Sequence, residues 1–488
     1  MNRRSLAAWS AANALGWTDL RAAMLLALLV LCSCAGPGEP ARPNVVLIVV
    51  DTLRADRLPF YGCPRNTAPF LAELAQRSLV FDNAWSPSSW TLPATVSVLT
   101  SVHPFQHGVN SLQGLELGPD EEPEPVNSIP EEIETLAEVL AAAGYRTYGV
   151  ASNVLVGEEV GFERGFDRFV RLEDEDADKV NARVEDWGSE MRESEPFFLY
   201  LHYIDPHDPF HAREPWFHLN GSAAEAGWPQ SSVGADAEAD LDWIMKRLDP
   251  GPDGFNGKMA SDLSPAEIDS LLAWIRAAYD SEIGFVDSRI REVFEALALE
   301  EAIVVFLADH GEEFYEHGDL THGQNLYAES MRVPLFLHLP DQDAPSGRVQ
   351  SHVSTLDVVP TLRRLLQLPP AEQDEGQDLL ADVTRLAVVG YLEGKSGQHP
   401  LENDLRSVVL GDHRLIAAED GRVELFDLAH DPQERTDLAA EMPALAAQLL
   451  RELDRLERSA PRFPRAWRLP SRPSDAMLEH LRGLGYLD

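Results

Sequence analysis

The sequence predicts an α/β protein built on a large, mostly parallel or mixed β-sheet sandwiched by helices, with a smaller C-terminal subdomain of antiparallel strands. Three observations predict it. Asn44 to Val50 is an unbroken apolar, largely β-branched run that stops at Asp51. Ile303 to Ala308 repeats the pattern and stops at Asp309 and His310. Apolar runs without alternation belong to strands buried on both faces, as in a parallel sheet covered by helices. Third, strand-like and helix-like segments alternate as far as Leu368, after which short strand-like segments succeed one another, the texture of a separate antiparallel layer.

In chain order, residues 1–34 read as a leader and 35–43 as a Gly/Pro-rich tether. The apolar segment Ala22 to Leu31, following Arg21, is too short to span a bilayer and has the shape of a secretory h-region. Leu31-Cys32-Ser33-Cys34 resembles a bacterial lipoprotein processing site with Cys34 as the lipidated residue; a plain cleaved signal peptide is the competing reading. Both predict an exported protein, periplasmic or held at the outer membrane as a lipoprotein. It keeps one thiol, Cys63, so no disulfide framework is implied.

Residues 44–368 form the main domain. Its first strand, Asn44 to Val50, leads into the loop Asp51 to Asp56 and then a helix over Thr67 to Ser78, with Phe70, Leu71, Leu74 and Ala75 on one face. Glu116 to Pro125 is an acidic loop. Ser128 is placed to cap a helix with Glu131 three positions on, and that helix stops at Gly144. Tyr145 to Val150 and Pro196 to His202 read as further strands, the second followed by Asp205-Pro206-His207-Asp208-Pro209. Residues 216–262, rich in Gly, Asp, Ala and Pro, read as an insertion covering the mouth of a site. Ser264-Pro265-Ala266-Glu267 restarts helix. The C-terminal subdomain, 369–460, contains strands at Ser407 to Leu410, Arg414 to Ala418 and Arg422 to Leu428, then a helix from Met442 to Leu456. Residues 461–488 are a tail.

The 488 residues are 44% hydrophobic and 25% charged, enough for a sizeable core. The formal net charge of -41 excludes a nucleic-acid-binding surface and electrostatic docking on anionic lipid. Membrane contact is expected only through a lipid anchor at Cys34. An anionic substrate must be drawn in locally, by a cation or nearby His and Arg.

Ligands of open parallel sheets collect at the carboxyl ends of the strands. Two such strands delivering Asp51, Asp309 and His310 to one edge would build an oxygen/nitrogen cation site. The motifs around them resemble the sulfatase family, within the alkaline phosphatase superfamily. They are Val49-Val50-Asp51-Thr52-Leu53-Arg54-Ala55-Asp56, Trp90-Thr91-Leu92-Pro93, His202-Tyr203-Ile204-Asp205-Pro206-His207 and Ala308-Asp309-His310-Gly311-Glu312-Glu313. Tyr327 to Pro334, and Glu424 to Leu428 with Asp431-Pro432, follow in the family's order. The resemblance implies an alkaline phosphatase-like fold and makes 44–368 the catalytic domain.

The departures from the family pattern carry as much information. Sulfatases of the usual kind present a Cys or Ser that becomes formylglycine, followed by Pro two places on and Arg four places on. Here the register set by Leu99-Thr100 puts Thr91 in that position, Pro93 matches, and Thr95 replaces the Arg. No formylglycine is expected. The Gly-Lys-Trp-His run that stabilises the aldehyde hydrate is replaced by Ala151-Ser152-Asn153-Val154, and Thr52 stands for the second acidic ligand. This set resembles the threonine-nucleophile members of the superfamily, such as lipoteichoic acid synthases and phosphoethanolamine transferases. That resemblance implies one divalent cation, Zn, Mn or Ca, held by Asp51, Thr91, Asp309 and His310; the donor set suits Zn or Mn better than Ca. Thr91 is then the nucleophile, with His207 and His322 on the remaining anionic oxygens or the leaving group. His103, His202 and His317 read as structural, and Arg54 with Asp56 as a surface brace.

The expected activity is hydrolysis of an anionic ester, sulfuric by family and phosphate monoester or phosphodiester by active-site residues. The substrate would be a sulfated or phosphorylated glycan, lipid or small molecule. Two rivals are a phospho-group transferase acting on envelope glycans or lipids, and a surface-anchored, non-catalytic binding protein on a decayed scaffold.

Overall fold

The computed structural model describes residues 42–111, 125–194, 196–219, 248–251, 254–259, 264–340, 344–381, 387–394 and 401–468. The leader with Cys34, most of the tether, most of the acidic loop, most of the 216–262 insertion and residues 469–488 of the tail lie outside them. Residues 43–488 belong to one compact unit.

Among the described residues the main sheet has nine strands. In chain order they are β1 (Val45–Val50), β2 (Leu79–Trp85), β3 (Arg146–Ala151), β4 (Arg168–Arg171), β5 (Phe197–Tyr203), β6 (Ile303–Leu307), β7 (Arg332–Val333), β8 (Leu335–His338) and β9 (Gly347–Ser354). β4, β3, β5, β1 and β6 lie side by side and parallel. β8 then runs antiparallel to both β6 and β2, and β9 closes the far edge of β2 in parallel. The sheet is therefore mixed, with its parallel half central to the molecule. Every residue of β1, β5 and β6 is buried, as unalternating apolar sequence requires when helices cover both faces. β7 and β8 follow one edge of β2, broken at Pro334, which has no N–H to give the ladder.

The helices that cover the sheet include α1 (Pro69–Ala75), α2 (Thr91–Thr100), α3 (Leu136–Ala142), α4 (Ala177–Glu193), α5 (Pro265–Leu297) and α6 (Val358–Leu365). α1 is shorter than Thr67 to Ser78. The Thr67 hydroxyl donates to the Arg57 carbonyl at 2.6 Å instead of entering the helix. Ala68, at the N-cap, offers no side-chain acceptor. The cap comes from another element: Asp287 of α5 accepts from the N–H groups of Phe70 and Leu71 at 3.0 and 2.8 Å.

The expected cap at Ser128 is corrected by the structure. Val126–Ser128 is a short strand with Ser128 buried, paired antiparallel to Ala466–Arg468. The helix starts only at Leu136, where Thr135 and Glu138 form a complete capping box. Both tetrapeptides fit the Ser/Thr-x-x-Glu pattern; strand pairing with a segment more than 300 residues away decided between them. That pairing also returns the start of the 461–488 segment to the main domain. Two strands, Leu248–Gly251 and Gly254–Met259, pair inside the 216–262 region, where the sequence shows little periodicity.

The C-terminal layer contains four antiparallel strands, β10 (Val388–Leu392), β11 (Leu405–Leu410), β12 (His413–Ala418) and β13 (Val423–Asp427), packed on α7 (Pro443–Ser459). The first of these was not legible as a strand. Its core is a cluster of its own, with Val408, Leu415 and Leu425 meeting Ala446, Leu449 and Leu453 of α7, spaced for one helix face.

Arg414 of β12 is completely buried and ties this layer to the main domain. Its guanidinium donates to both oxygens of Glu434 at 2.8 Å and to the Leu326 carbonyl, and it lies 4.7 Å over the Trp85 ring of β2. Nearby, His317 donates to the Glu329 carboxylate and, at 2.9 Å, to the Glu434 carbonyl. Arg414→Met strands a buried carboxylate and is expected to cost about 3–5 kcal/mol. The Arg414→Met/Glu434→Gln double variant should lose distinctly less in the same denaturant titration. Burial depresses the His317 pKa, but the Glu329 bond and charge outweigh it and raise the value from 6.5 to about 9. The folded-state value lies above the unfolded one, so this stabilisation is complete below pH 6.5 and fades as pH rises through about 9. Thermal melts should show that alkaline decline in the wild type and a flatter profile in His317→Gln.

Candidate active site and metal centre

The parallel register of β1 on β6 pairs Val49 with Leu307, so Asp51 and Asp309, each two residues further on, emerge level with each other. β5 lies on the other side of β1 with His202 opposite Val49, and β3 lies beyond it with Ala151 opposite His202. Four neighbouring parallel strands thus deliver Asp309 and His310, Asp51, His202 and Asn153 to one sheet edge. Thr91 reaches the same place from the first turn of α2, all ten residues of which are buried. Asp51, Thr91, Asp309 and His310 are all buried as well.

The hydrogen bonds sort the atoms of this cluster into two kinds. Asp51 Oδ2 accepts from Asn153 Nδ2 at 2.6 Å and from His202 Nε2 at 3.1 Å, while the Tyr200 hydroxyl holds His202 Nδ1 at 2.8 Å. Asp309 Oδ1 accepts from the His310 N–H at 2.9 Å. His310 Nδ1 lies 2.9 Å from the Gly311 carbonyl, which assigns its proton to Nδ1 and leaves a lone pair on Nε2. The other carboxylate oxygens, Asp51 Oδ1 and Asp309 Oδ2, are buried and accept no hydrogen bond. They lie 3.4 and 3.5 Å from that Nε2. Thr91 Oγ1 sits 3.2 Å from the same nitrogen.

Three lone-pair atoms therefore converge, all within 4.8 Å of one another, and the one hydrogen bond made into the group is that of the Thr91 hydroxyl to His310 Nε2. Buried acceptors in that arrangement repel unless a cation lies among them. The titration behaviour has the same origin. Burial raises Asp309, and the charge on Asp51 adds to it, to about 8; burial lowers His310 to about 4. Burial also raises Asp51, but the His202 hydrogen bond and neighbouring imidazoles outweigh it, down to about 2. Two carboxylates and a neutral imidazole fit a divalent cation, and the hydrogen bonds to their outer atoms orient them for it.

Thr52, which follows Asp51, has φ 54°, a strained region for a β-branched residue. Tyr279 of α5 holds this turn: its hydroxyl donates to the Thr52 carbonyl at 2.7 Å and accepts from the Arg54 N–H at 2.8 Å. Arg54 and Asp56 do bond each other, at 2.7 Å, but Arg54 is buried and also donates to the Glu312 carbonyl at 2.9 Å. It braces the β1 loop against the β6 loop from inside, not on the surface. His322 and His207 continue a row of rings from His310, with centroids 4.5 and then 4.9 Å apart. His322 Nδ1 meets Glu312 Oε1 at 3.1 Å, and His207 Nδ1 meets the Asp208 carbonyl at 2.6 Å. Ligand-type atoms of His207, Asp208 and His322 also lie within 4.8 Å of one another.

The structure thus gathers every residue proposed for the site: Asp51, Thr91, Asp309 and His310 at the centre, His207 and His322 alongside. His202, read as structural, supports Asp51. His317 serves the C-terminal layer, and His103 stacks on Phe105 at the start of a short helix. Asn153 was missed: it bonds Asp51 and lies 3.5 Å from Thr91 Oγ1. Ala151-Ser152-Asn153-Val154 read only as a lost element, because the contact follows from strand order. Asp309→Ala should abolish tight divalent-metal retention, whereas Asn153→Ala, which removes an orienting contact, should weaken it about 10–100-fold. Elemental analysis and competition with a metal-binding dye would read both.

The Sulfatase family model matches residues 43–368. An ulvan-active sulfatase of Formosa agariphila is 25% identical over 470 residues, covering 86% of this chain and 83% of its own. Among solved structures, a protein in complex with its substrate D-glucosamine-2-N,6-O-disulfate superposes with a TM-score of 0.66 at 16% identity, over 86% of this chain and 98% of that one. A phosphonate monoester hydrolase from Silicibacter pomeroyi gives 0.65 at 18% identity, over 86% and 96%. At such identities the solved structures speak for the fold. The chain belongs to the sulfatase family and is a hydrolase of sulfate or phosphate esters.

Proposed function

We propose that this enzyme cleaves its anionic ester through Thr91, at a centre holding one divalent cation on Asp51, Asp309 and His310. The observation that carries the proposal is the convergence of Asp51 Oδ1, Asp309 Oδ2 and His310 Nε2 on one point beside Thr91 Oγ1. A threonine hydroxyl is a weak nucleophile near neutral pH. A divalent cation at that point would lower its pKa and draw charge from the ester oxygen.

Thr91 begins α2, so its N–H and that of Leu92 have no intrahelical acceptor and present positive charge to an anionic group. Asn153 Nδ2 steadies Thr91 Oγ1 and Asp51 together. In the first stage Thr91 loses its hydroxyl proton to solvent, Oγ1 bonds to sulfur or phosphorus as the bond to the alcohol oxygen breaks, and the leaving alkoxide takes a proton from the His207 and His322 side. In the second stage water displaces Thr91 from its ester, one proton restoring the hydroxyl and the other returning to the His207 and His322 side; a monoester substrate releases inorganic sulfate or phosphate, and a phosphodiester releases a phosphate monoester. The family supports a sulfate ester. Threonine, which cannot become formylglycine, supports a phosphate monoester or phosphodiester. The substrates named for the relatives, ulvan and a glucosamine disulfate, support a charged glycan as its carrier. Export, and a lipid anchor at Cys34, belong to the same proposal and rest on the 22–34 sequence alone.

Turnover of an aryl sulfate, an aryl phosphate and a bis-aryl phosphodiester by the metal-loaded enzyme tests this reading. At least one ester should be cleaved, and Thr91→Ala should lower its kcat by about a thousandfold or more, with Thr91→Ser retaining a measurable part. Equal turnover by wild type and Thr91→Ala would remove Thr91 from the chemistry.

A further inference from the structure

The segment after β1 also forms one wall of a cavity of about 500 Å³, closed by α5, by the 328–332 segment and by 432–435 of the C-terminal layer. None of the candidate catalytic residues lines it. Five arginines and three carboxylates do, in a chain where acidic residues outnumber basic ones by 81 to 40. A net positive cavity in so acidic a protein calls for a reason.

Pairing accounts for two of the arginines and all three carboxylates. Arg54 bonds Asp56 and Glu316, and Arg57 is held by Asp280. Glu329 is engaged by His317. The other three reach carbonyl oxygens: Arg276 that of Phe314 at 3.0 Å, Arg332 that of Asp82 at 2.8 Å, and Arg435 that of Glu316 at 2.7 Å. Arg276 approaches Glu316 only at 3.9 Å. Arg332 Nε is buried and has no hydrogen-bond partner. A carbonyl contact occupies one donor of a guanidinium and supplies no full counter-charge, and the planar fork matches two oxygens of a tetrahedral oxyanion.

We propose that this cavity is a second anion site, in which Arg276, Arg332 and Arg435 hold a sulfate or phosphate group apart from the one being cleaved. The group is either the free inorganic anion or a further ester carried by a multiply charged substrate. Against the field of so acidic a chain, only local cationic compensation of this kind can retain such an ion.

Calorimetric titration of inorganic sulfate and of phosphate, at fixed ionic strength, tests the site in the full chain. Asp51→Asn/Asp309→Asn disables the catalytic centre and should leave one binding event intact. Arg276→Ala/Arg435→Ala, at a half-buried and an exposed position, should weaken that event about tenfold or more. Retention of full affinity by the arginine variant, loss of all binding in the aspartate variant, or no binding by the wild type would each overturn the proposal. Titrating glycan fragments with one and with two sulfate groups separates the sources. A pendant group requires tighter binding of the doubly charged fragment, lost in the arginine variant; a free anion requires equal binding of the two.

Discussion

The structure depends on a level register between two parallel strands. Because Val49 of β1 stands opposite Leu307 of β6, the carboxylates of Asp51 and Asp309 leave the sheet side by side, and His310 turns its Nε2 toward both. A slip of one residue would swing one carboxylate to the other face of the sheet. Because β1, β5 and β6 are buried on both faces, such a slip would have to repack two close-packed layers at once. What is usually read as core packing here also fixes ligand geometry.

Around that register each polar group completes one atom and leaves another open. Asn153 and His202 take Asp51 Oδ2, the His310 backbone takes Asp309 Oδ1, and the Gly311 carbonyl takes His310 Nδ1. The atoms left over are the ones that face one another. The turn at Thr52 is held in a strained conformation by Tyr279, and Arg54 ties that turn to the loop after β6. Both loops are thus locked by contacts from behind, so the site does not depend on the substrate to organise it.

The sheet, three of the site's four central residues and the C-terminal layer were legible because their signals are local. An apolar run that ends in Asp or in Asp-His says strand and ligand together, whereas Thr91 was placed only through the family's motif register. The failures have the opposite character. Nothing within Ala151-Ser152-Asn153 shows that Asn153 will meet a carboxylate 102 residues earlier; that follows from strand order, which sequence periodicity does not encode. The choice between the capping boxes at Ser128 and Thr135 was made by Ala466–Arg468, and α1 takes its cap from Asp287. Arg54 read as a surface residue because its partners next in sequence are solvent-facing, whereas its buried bond runs to Glu312.

The proposed centre also has a consequence for the charge of its substrate. Asp51 and Asp309 contribute two negative charges, which one divalent cation would cancel, and His310 is neutral through its Nδ1 proton. The centre is then uncharged before the ester arrives, and ionising Thr91 makes it negative. The surroundings of His207 set Asp174, Asp176, Asp205, Asp208 and Glu282 against Arg213, which is itself held by Asp176 and Asp205. The group at hand without a carboxylate partner is the N-terminus of α2. Such a site compensates one negative charge on the ester more readily than two, which favours sulfate monoesters and phosphodiesters over phosphate monoesters. The family and the proposed role of Thr91 point to different elements at the reacting centre, but both are satisfied by a monoanionic ester.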